Sequence, residues 1–125
     1  MRKFLAAAFV SVTLAGCSAI PSFWDDNQSA VIVNVLLAVD KLDCQQPHAA
    51  QAQVIKDQLR WFELYSVAKG TQDVQRLVAP MQATVDDFYK RSTSEQQGST
   101  AYCELKKKAM TQQGQAAAKA VLGRF

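Results

Sequence analysis

The sequence is poor in the residues from which most active sites are built. It has one histidine, His48, and three cysteines among 125 residues. A structural zinc site takes about four ligands, mostly Cys and His, and no such cluster occurs here. No glycine-rich phosphate loop and no nucleophile paired with a base are found. We therefore expect no enzyme activity and no catalytic, cofactor-binding or metal site. We expect His48 to be a surface residue.

The sequence also has no large excess of positive or negative charge. Fourteen basic residues stand against 11 acidic ones, and two of the basic residues, Arg2 and Lys3, lie in the leader. A nearly neutral domain does not form a general nucleic-acid-binding surface, so we expect no nucleic-acid partner. The single run of like charge, Lys106-Lys107-Lys108, is interpreted as a solvated helix face.

A hydrophobic run long enough to span a bilayer is absent. Phe4 to Leu14 is mostly apolar, but a stable transmembrane helix needs about 20 apolar residues. A basic start, a short apolar run and a small-residue exit are typical of a secretory signal peptide. The leader ends in Leu14-Ala15-Gly16-Cys17, followed by Ser18.

This ending resembles the lipobox of bacterial lipoproteins. In that family the thiol of the cysteine carries a diacylglycerol, the leader is removed before it, and the new amine is acylated. The resemblance implies lipidation of Cys17 and membrane attachment through the lipid. Ser18, where Asp would favour inner-membrane retention, implies outer-membrane delivery, with the domain facing the periplasm. The alternative is an ordinary signal peptide followed by a chance cysteine.

The resulting domain organisation has three parts. Residues 1–16 are the signal peptide, 17–25 a lipidated tether and 26–125 a helical domain. With Cys17 lipidated, Cys44 and Cys103 remain in an oxidising compartment, where disulfides are expected. We predict a Cys44–Cys103 disulfide. A metal site is the rival interpretation, and it lacks ligands.

Apolar periodicity predicts four helices. Asp25 and Gln28 have the spacing of a capping box at the first helix, and Thr71 is a predicted cap of the third. The predicted helices are residues 27–42, residues after Pro47 to Lys69, residues after Thr71 to about 91, and residues 99 or 100 to 122. The β-branched content of the first leaves a strand possible.

Four helices with short connections favour an antiparallel bundle. Cys44 follows the first helix and Cys103 begins the fourth, and in an up-down-up-down arrangement these ends meet at one pole. The predicted fold is all-α: a small antiparallel four-helix bundle, stapled by the disulfide, on a lipidated N-terminal tether.

The first two helices carry more apolar residues than one core face needs. Trp61, Leu64, Tyr65 and Ala68 extend the apolar arc of the second helix, and we interpret them as candidate partner-binding residues in a groove that receives an amphipathic helix. The alternative is that both helices are central in the bundle. Phe23 and Trp24 could instead rest at the lipid interface.

The overall plan resembles the type II secretion pilotins of the enteric kind. The features that match are Cys17, the stretch from Leu36 to Cys44, and Cys103 at the start of the last helix. Those proteins are small outer-membrane lipoproteins with four helices and a disulfide, and they carry a helical tail of the secretin to the outer membrane. The resemblance implies a non-catalytic protein that binds another envelope protein. Phage-encoded lipoproteins for superinfection exclusion and structural envelope lipoproteins remain alternatives.

Overall fold

The computed structural model describes residues 25–123, which form four helices. They are α1 (Asp26–Asp40), α2 (His48–Lys69), α3 (Gln72–Ser92) and α4 (Thr100–Leu122). The described part of the chain contains no strand, so the first element is a helix. The predicted signal peptide, the lipidation site Cys17 and the tether up to residue 24 lie outside the described residues, as do residues 124–125.

The helices form a ring in which each packs against two others. The neighbours are α1 with α2, α2 with α3, α3 with α4, and α4 with α1. Cys44 and Cys103 form the predicted disulfide, with their Cα atoms 5.6 Å apart. We call this end of the bundle the disulfide pole, and the opposite end, where Asp25 caps the start of α1, the N-terminal pole. The predicted all-helical, disulfide-stapled bundle is confirmed.

Local chemistry explains where the helices begin and end. The Asp25 carboxylate accepts a hydrogen bond from the Gln28 N–H at 3.0 Å, which satisfies a donor that the first helical turn leaves unpaired. Gly70 ends α2 with φ at +70°, a conformation that glycine adopts without steric cost. The Thr71 N–H then reaches back to the Ser66 carbonyl at 2.8 Å.

The core is built from apolar stripes at helical spacing. α3 contributes five buried apolar residues, which are Val74, Val78, Met81, Val85 and Phe88. Pro80 is exposed, off this buried stripe of α3. On α4, Gly114 lets α1 and α3 approach closely, because a Cβ there would lie 2.6 Å from Leu36 Cδ2 and 3.3 Å from Met81 Cε.

His48 is a core residue, and its predicted surface position was wrong. Its side chain is 0% exposed, and Nε2 lies 3.1 Å from the Cys44 carbonyl oxygen. The ring centroid is 5.9 Å from that of Phe88. The His48 N–H donates to Gln97 Oε1 at 3.1 Å. The His48 ring is therefore buried at the disulfide pole, close to Phe88, which is distant in sequence.

Gln28 takes part in the predicted cap of α1 through its N–H, which donates to the Asp25 carboxylate. Its side-chain Nε2 donates to Ser66 Oγ at 3.1 Å and to Thr71 Oγ1 at 2.8 Å. Thr71 is the N-cap residue of α3, as predicted, but its side chain forms no capping hydrogen bond. The Gln28 amide thus joins α1 to the α2–α3 turn inside the N-terminal pole.

Candidate functional site

A surface groove runs between α1 and α2, and we call it the α1–α2 groove. It comprises two adjoining depressions of about 320 and 380 Å³, which share Asn34 and Gln58. Its apolar side chains are Val31, Leu37, Ala38, Val54 and Trp61. Both depressions are open to solvent along the helices, so the shape suits the side of a helix better than an enclosed small molecule.

Three large apolar side chains of the groove are exposed. Leu37 is 48% exposed, Val54 51% and Trp61 44%. On the opposite side of α2, Ile55 and Leu59 are at most 2% exposed. The interpretation that both helices are central in the bundle is therefore wrong for these outward faces. Leu37, Val54 and Trp61 are not part of the buried core and form an apolar surface.

The four candidate partner-binding residues lie on the C-terminal half of α2, where the structure divides them. Trp61 lines the groove and stacks on Tyr65, with ring centroids 4.8 Å apart and planes at 11°. Leu64 is 53% exposed, and Ala68 is also exposed. Leu64 and Ala68 continue the apolar surface beyond the groove lining. Binding at any of these residues stays a prediction.

Sequence reasoning missed two residues of this surface. Val54 and Leu37 have no feature in the sequence that distinguishes them from the other apolar residues of their helices. Neither was predicted as a partner-binding residue. A signal for Val54 was present, because it lies seven residues before Trp61 and so falls on the same side of α2. Leu37 had no such signal, since α1 is apolar on nearly every side.

Hydrogen bonds fix the groove at the N-terminal pole. The Tyr65 hydroxyl donates to Asp25 Oδ2 at 3.0 Å and accepts from Asn27 Nδ2 at 3.0 Å. Partial burial acts to raise the pKa of Asp25, but hydrogen bonds from the Gln28 N–H and the Tyr65 hydroxyl outweigh it and hold that pKa below its ordinary value. The start of α1 is thus tied to the candidate residues on α2.

The other end of the groove is fixed by Gln51. Its Oε1 accepts from the Asp43 N–H at 2.8 Å, and its Nε2 donates to the Asp43 and Pro47 carbonyls, each at 2.9 Å. These bonds hold the α1–α2 connection against α2. Both ends of the groove are therefore preorganised. Along α2 the groove extends from Gln51 to Trp61, which is about 15 Å at 1.5 Å per residue.

A larger depression of about 640 Å³ lies at the disulfide pole, between α3 and α4. Its lining includes Lys90, Arg91, Asp87 and Tyr102. A 2.6 Å hydrogen bond from Lys106 Nζ lowers the pKa of Asp87 and raises that of Lys106. The basic residues also lie at the C-terminal end of α3, where positive charge favours the helix dipole. The positive charge here therefore has structural partners.

The lysine run 106–108, which was predicted to be a solvated face of α4, is only partly exposed to solvent. Lys108 is exposed, but Lys106 forms the ion pair with Asp87. Lys107 Nζ donates to the Leu42 carbonyl at 2.8 Å. The lysine run therefore also joins α4 to its neighbours at the disulfide pole.

Within residues 25–123, no group of three or more His, Cys, Asp or Glu side chains converges as a metal site would require. None of the helices in this range is both long and apolar enough to cross a membrane. Comparison of the chain with known protein families, curated proteins and solved structures gives no match.

Proposed function

We propose that this chain is a non-catalytic outer-membrane lipoprotein that captures an amphipathic helix of another envelope protein in the α1–α2 groove. The role is similar to that of the pilotins, with the lipid on Cys17 as the anchor and the helical domain facing the periplasm. The groove carries three large apolar side chains, Leu37, Val54 and Trp61, that are each about half exposed.

The observation that carries the proposal is the exposure of Leu37, Val54 and Trp61 on two neighbouring helices. Fully burying such a side chain stabilises by about 1.5–3 kcal/mol, and about half of each remains to be buried. Together they contribute roughly 3 kcal/mol to association before the entropy cost. This suits a specific but reversible capture.

The partner segment can be described by its chemistry. A groove of about 15 Å accommodates about three turns of helix, with apolar residues at i, i+3, i+4 and i+7 facing it. Asn34 and Gln58 occupy the middle of the groove, so polar residues of the partner would meet amides there. Lys41 and Asp57 lie along its edges, and they favour a partner helix with charges of both signs.

A matched pair of variants tests the groove. Trp61→Ala should reduce recovery of the partner on pull-down of the full chain from solubilised envelopes by roughly tenfold, as loss of an aromatic anchor does. Leu105→Ala is the control, because Leu105 is 67% exposed on α4 and lies outside the groove. Equal recovery of one discrete protein with both variants would contradict the proposal.

The anchor is tested separately. Cells fed labelled palmitate should label the parent chain and leave the Cys17→Ser variant unlabelled. The parent should fractionate with the outer membrane, because several acyl chains at about 0.8 kcal/mol per buried methylene hold a protein firmly on a bilayer. An unlabelled parent in the soluble fraction would refute the anchor while leaving the groove experiment valid.

A further inference from the structure

The depression of about 640 Å³ at the disulfide pole collects polar side chains from three parts of the chain. Lys90 and Arg91 line it from the last turn of α3. Ser99, the N-cap residue of α4, and Tyr102 line it from the start of α4. Ser94 lines it from the loop that joins the two helices. We call this surface the α3–α4 cleft.

Two cations of the α3–α4 cleft have N–H donors that no residue engages. Lys106 is held by the Asp87 carboxylate at 2.6 Å, so this pair adds no net charge to the cleft. Arg91 lies over the Tyr102 ring, with Cζ 6.0 Å from the centroid, and Lys90 is exposed. Within residues 25–123, neither Lys90 nor Arg91 donates a side-chain hydrogen bond or forms an ion pair. The ring face and the dipole of α3 engage their charge, but their N–H donors stay available to a ligand.

Tyr102 adds a hydroxyl donor on a well-packed ring. Gly98 leaves room for that ring, because a Cβ at this position would lie 2.8 Å from Tyr102 Cε1. The ring centroid is also 6.3 Å from that of Phe88. In the part of the chain that the structure describes, the Tyr102 hydroxyl has no hydrogen-bond partner. Since Tyr102 lines the cleft, its hydroxyl is available to donate to a ligand bound there.

The ends of the two helices do not oppose negative charge in the cleft. The Ser99 hydroxyl oxygen accepts from the Tyr102 N–H at 3.1 Å, so the positive end of the α4 dipole lies at the lining. The negative end of α3 lies here too, but the Ser94 hydroxyl donates to the Arg91 carbonyl at 2.7 Å. The Thr93 hydroxyl donates to a further carbonyl of that turn at 3.1 Å. The side-chain donors, supported by the dipole of α4, therefore make the cleft attractive to an anion.

We propose that the α3–α4 cleft is a binding site for a phosphate group. Phosphate presents several strong acceptor oxygens in a tetrahedral arrangement, which suits donors that come from more than one helix, whereas the two oxygens of a carboxylate lie in one plane. Arg91 can donate two parallel N–H bonds to phosphate, and Lys90 adds a point charge. The hydroxyls of Tyr102 and Ser99 donate to the remaining oxygens.

The size of the cleft indicates what the phosphate is attached to. Small-molecule sites typically have volumes of about 300–1,000 Å³, so a cleft of about 640 Å³ accommodates an organic group besides the phosphate. Such a group comes either from a lipid headgroup or from a soluble phosphate. This inference goes beyond the proposed function, because it concerns α3 and α4 and not the α1–α2 groove.

Titrations followed by NMR test the site. The isotope-labelled full chain, in micelles of a nonionic detergent, is titrated with inorganic phosphate at constant ionic strength. We expect saturable shifts of the amide signals of Gly98, Ser99 and Tyr102, and none at Val54 in the α1–α2 groove. A second titration uses dihexanoylphosphatidic acid, which presents the same group on a lipid. Tighter binding of the lipid assigns the headgroup as the source, and equal or tighter binding of inorganic phosphate assigns a soluble phosphate.

Variants separate a built site from general attraction to positive charge. The double variant Lys90→Gln and Arg91→Gln should weaken binding of inorganic phosphate by roughly tenfold, because charge-assisted hydrogen bonds are lost. Tyr102→Phe keeps the ring and should weaken binding by roughly threefold through loss of one donor. The matched control, Lys108→Gln and Lys119→Gln, removes the same charge from exposed positions of α4 outside the cleft and should bind as the parent does.

The test has clear contrary outcomes. No saturable shift with either ligand, or shifts confined to other parts of the chain, would overturn the inference. Equal weakening by the double variant and by its matched control would also overturn it, because the binding would then follow net charge alone. Lys90 and Arg91 are exposed, so the fold persists in the double variant, and circular dichroism checks this. None of these outcomes bears on the α1–α2 groove.

Discussion

Removal of the disulfide should cost much of the stability of the bundle. Cys44 and Cys103 are separated by 59 residues in sequence. In the chain-entropy treatment, closing a loop of that length stabilises the folded state by about 4 kcal/mol. Domains of this size are typically stable by about 5–15 kcal/mol. The double variant Cys44→Ala and Cys103→Ala should therefore remain folded only marginally.

Urea unfolding measures this loss. With a slope of about 1.5 kcal/mol per molar urea, a loss of about 4 kcal/mol lowers the midpoint by about 2–3 M. Alanine is the appropriate replacement because both cysteines are at most 4% exposed, and a buried serine hydroxyl would add a desolvation cost of its own. Circular dichroism follows the helices, and the curves are recorded with and without reductant.

Reductant is the matched control for this experiment. It should lower the midpoint of the parent nearly to that of the double variant, and it should leave the double variant unchanged. Coincident midpoints for parent and variant in oxidising buffer would refute the reasoning, because the link between the α1 end and α4 would then contribute nothing. A reductant effect on the double variant would assign the change to something other than this disulfide.

Three other changes test the polar and buried parts of the fold. Gln28→Leu removes the amide that joins α1 to Ser66 and Thr71; thermal unfolding should show a loss of about 1–3 kcal/mol, since two hydroxyls lose a donor. His48→Ala leaves a cavity at the disulfide pole and should cost about 2–4 kcal/mol in urea unfolding; an unchanged midpoint would mean that the ring is not packed as described. Because its folded-state pKa is depressed, Asp25 contributes stability that is present above its ordinary pKa and lost as pH falls through the lower folded value. Between about pH 5 and pH 3 the parent should therefore lose more stability than the capping but uncharged Asp25→Asn variant, and equal losses would contradict this.

The features that the sequence predicted correctly are those set by local pattern. The stripe from Val74 to Phe88 has the period of a helix, so its buried face could be recognised before its neighbours were known. The second helix ends at Lys69 as predicted, and the glycine that follows, Gly70, adopts the positive φ that ends it. The cysteines added a long-range restraint, since the order of the helices brings Cys44 and Cys103 to one pole.

The features that the sequence could not predict depend on partners far along the chain. Gln28 matched a local capping pattern, but its amide bonds to residues 38 and 43 positions away. His48 carried no sign of burial in the sequence, because its ring packs near Phe88 and its backbone N–H bonds to Gln97, both far along the chain. Leu37 could not be assigned to the surface because a helix that is apolar on nearly every side does not reveal which side faces the core.

The most direct test of the central claim is photocrosslinking from the middle of the groove in intact envelopes. Val54, which is 51% exposed, is replaced by p-benzoylphenylalanine, and Leu105 carries the same probe as the control. We predict that the probe at position 54 captures one discrete protein, through a peptide with apolar residues at helical spacing, and that the probe at position 105 does not. Capture of lipid alone, or the same set of products from both positions, would contradict the account.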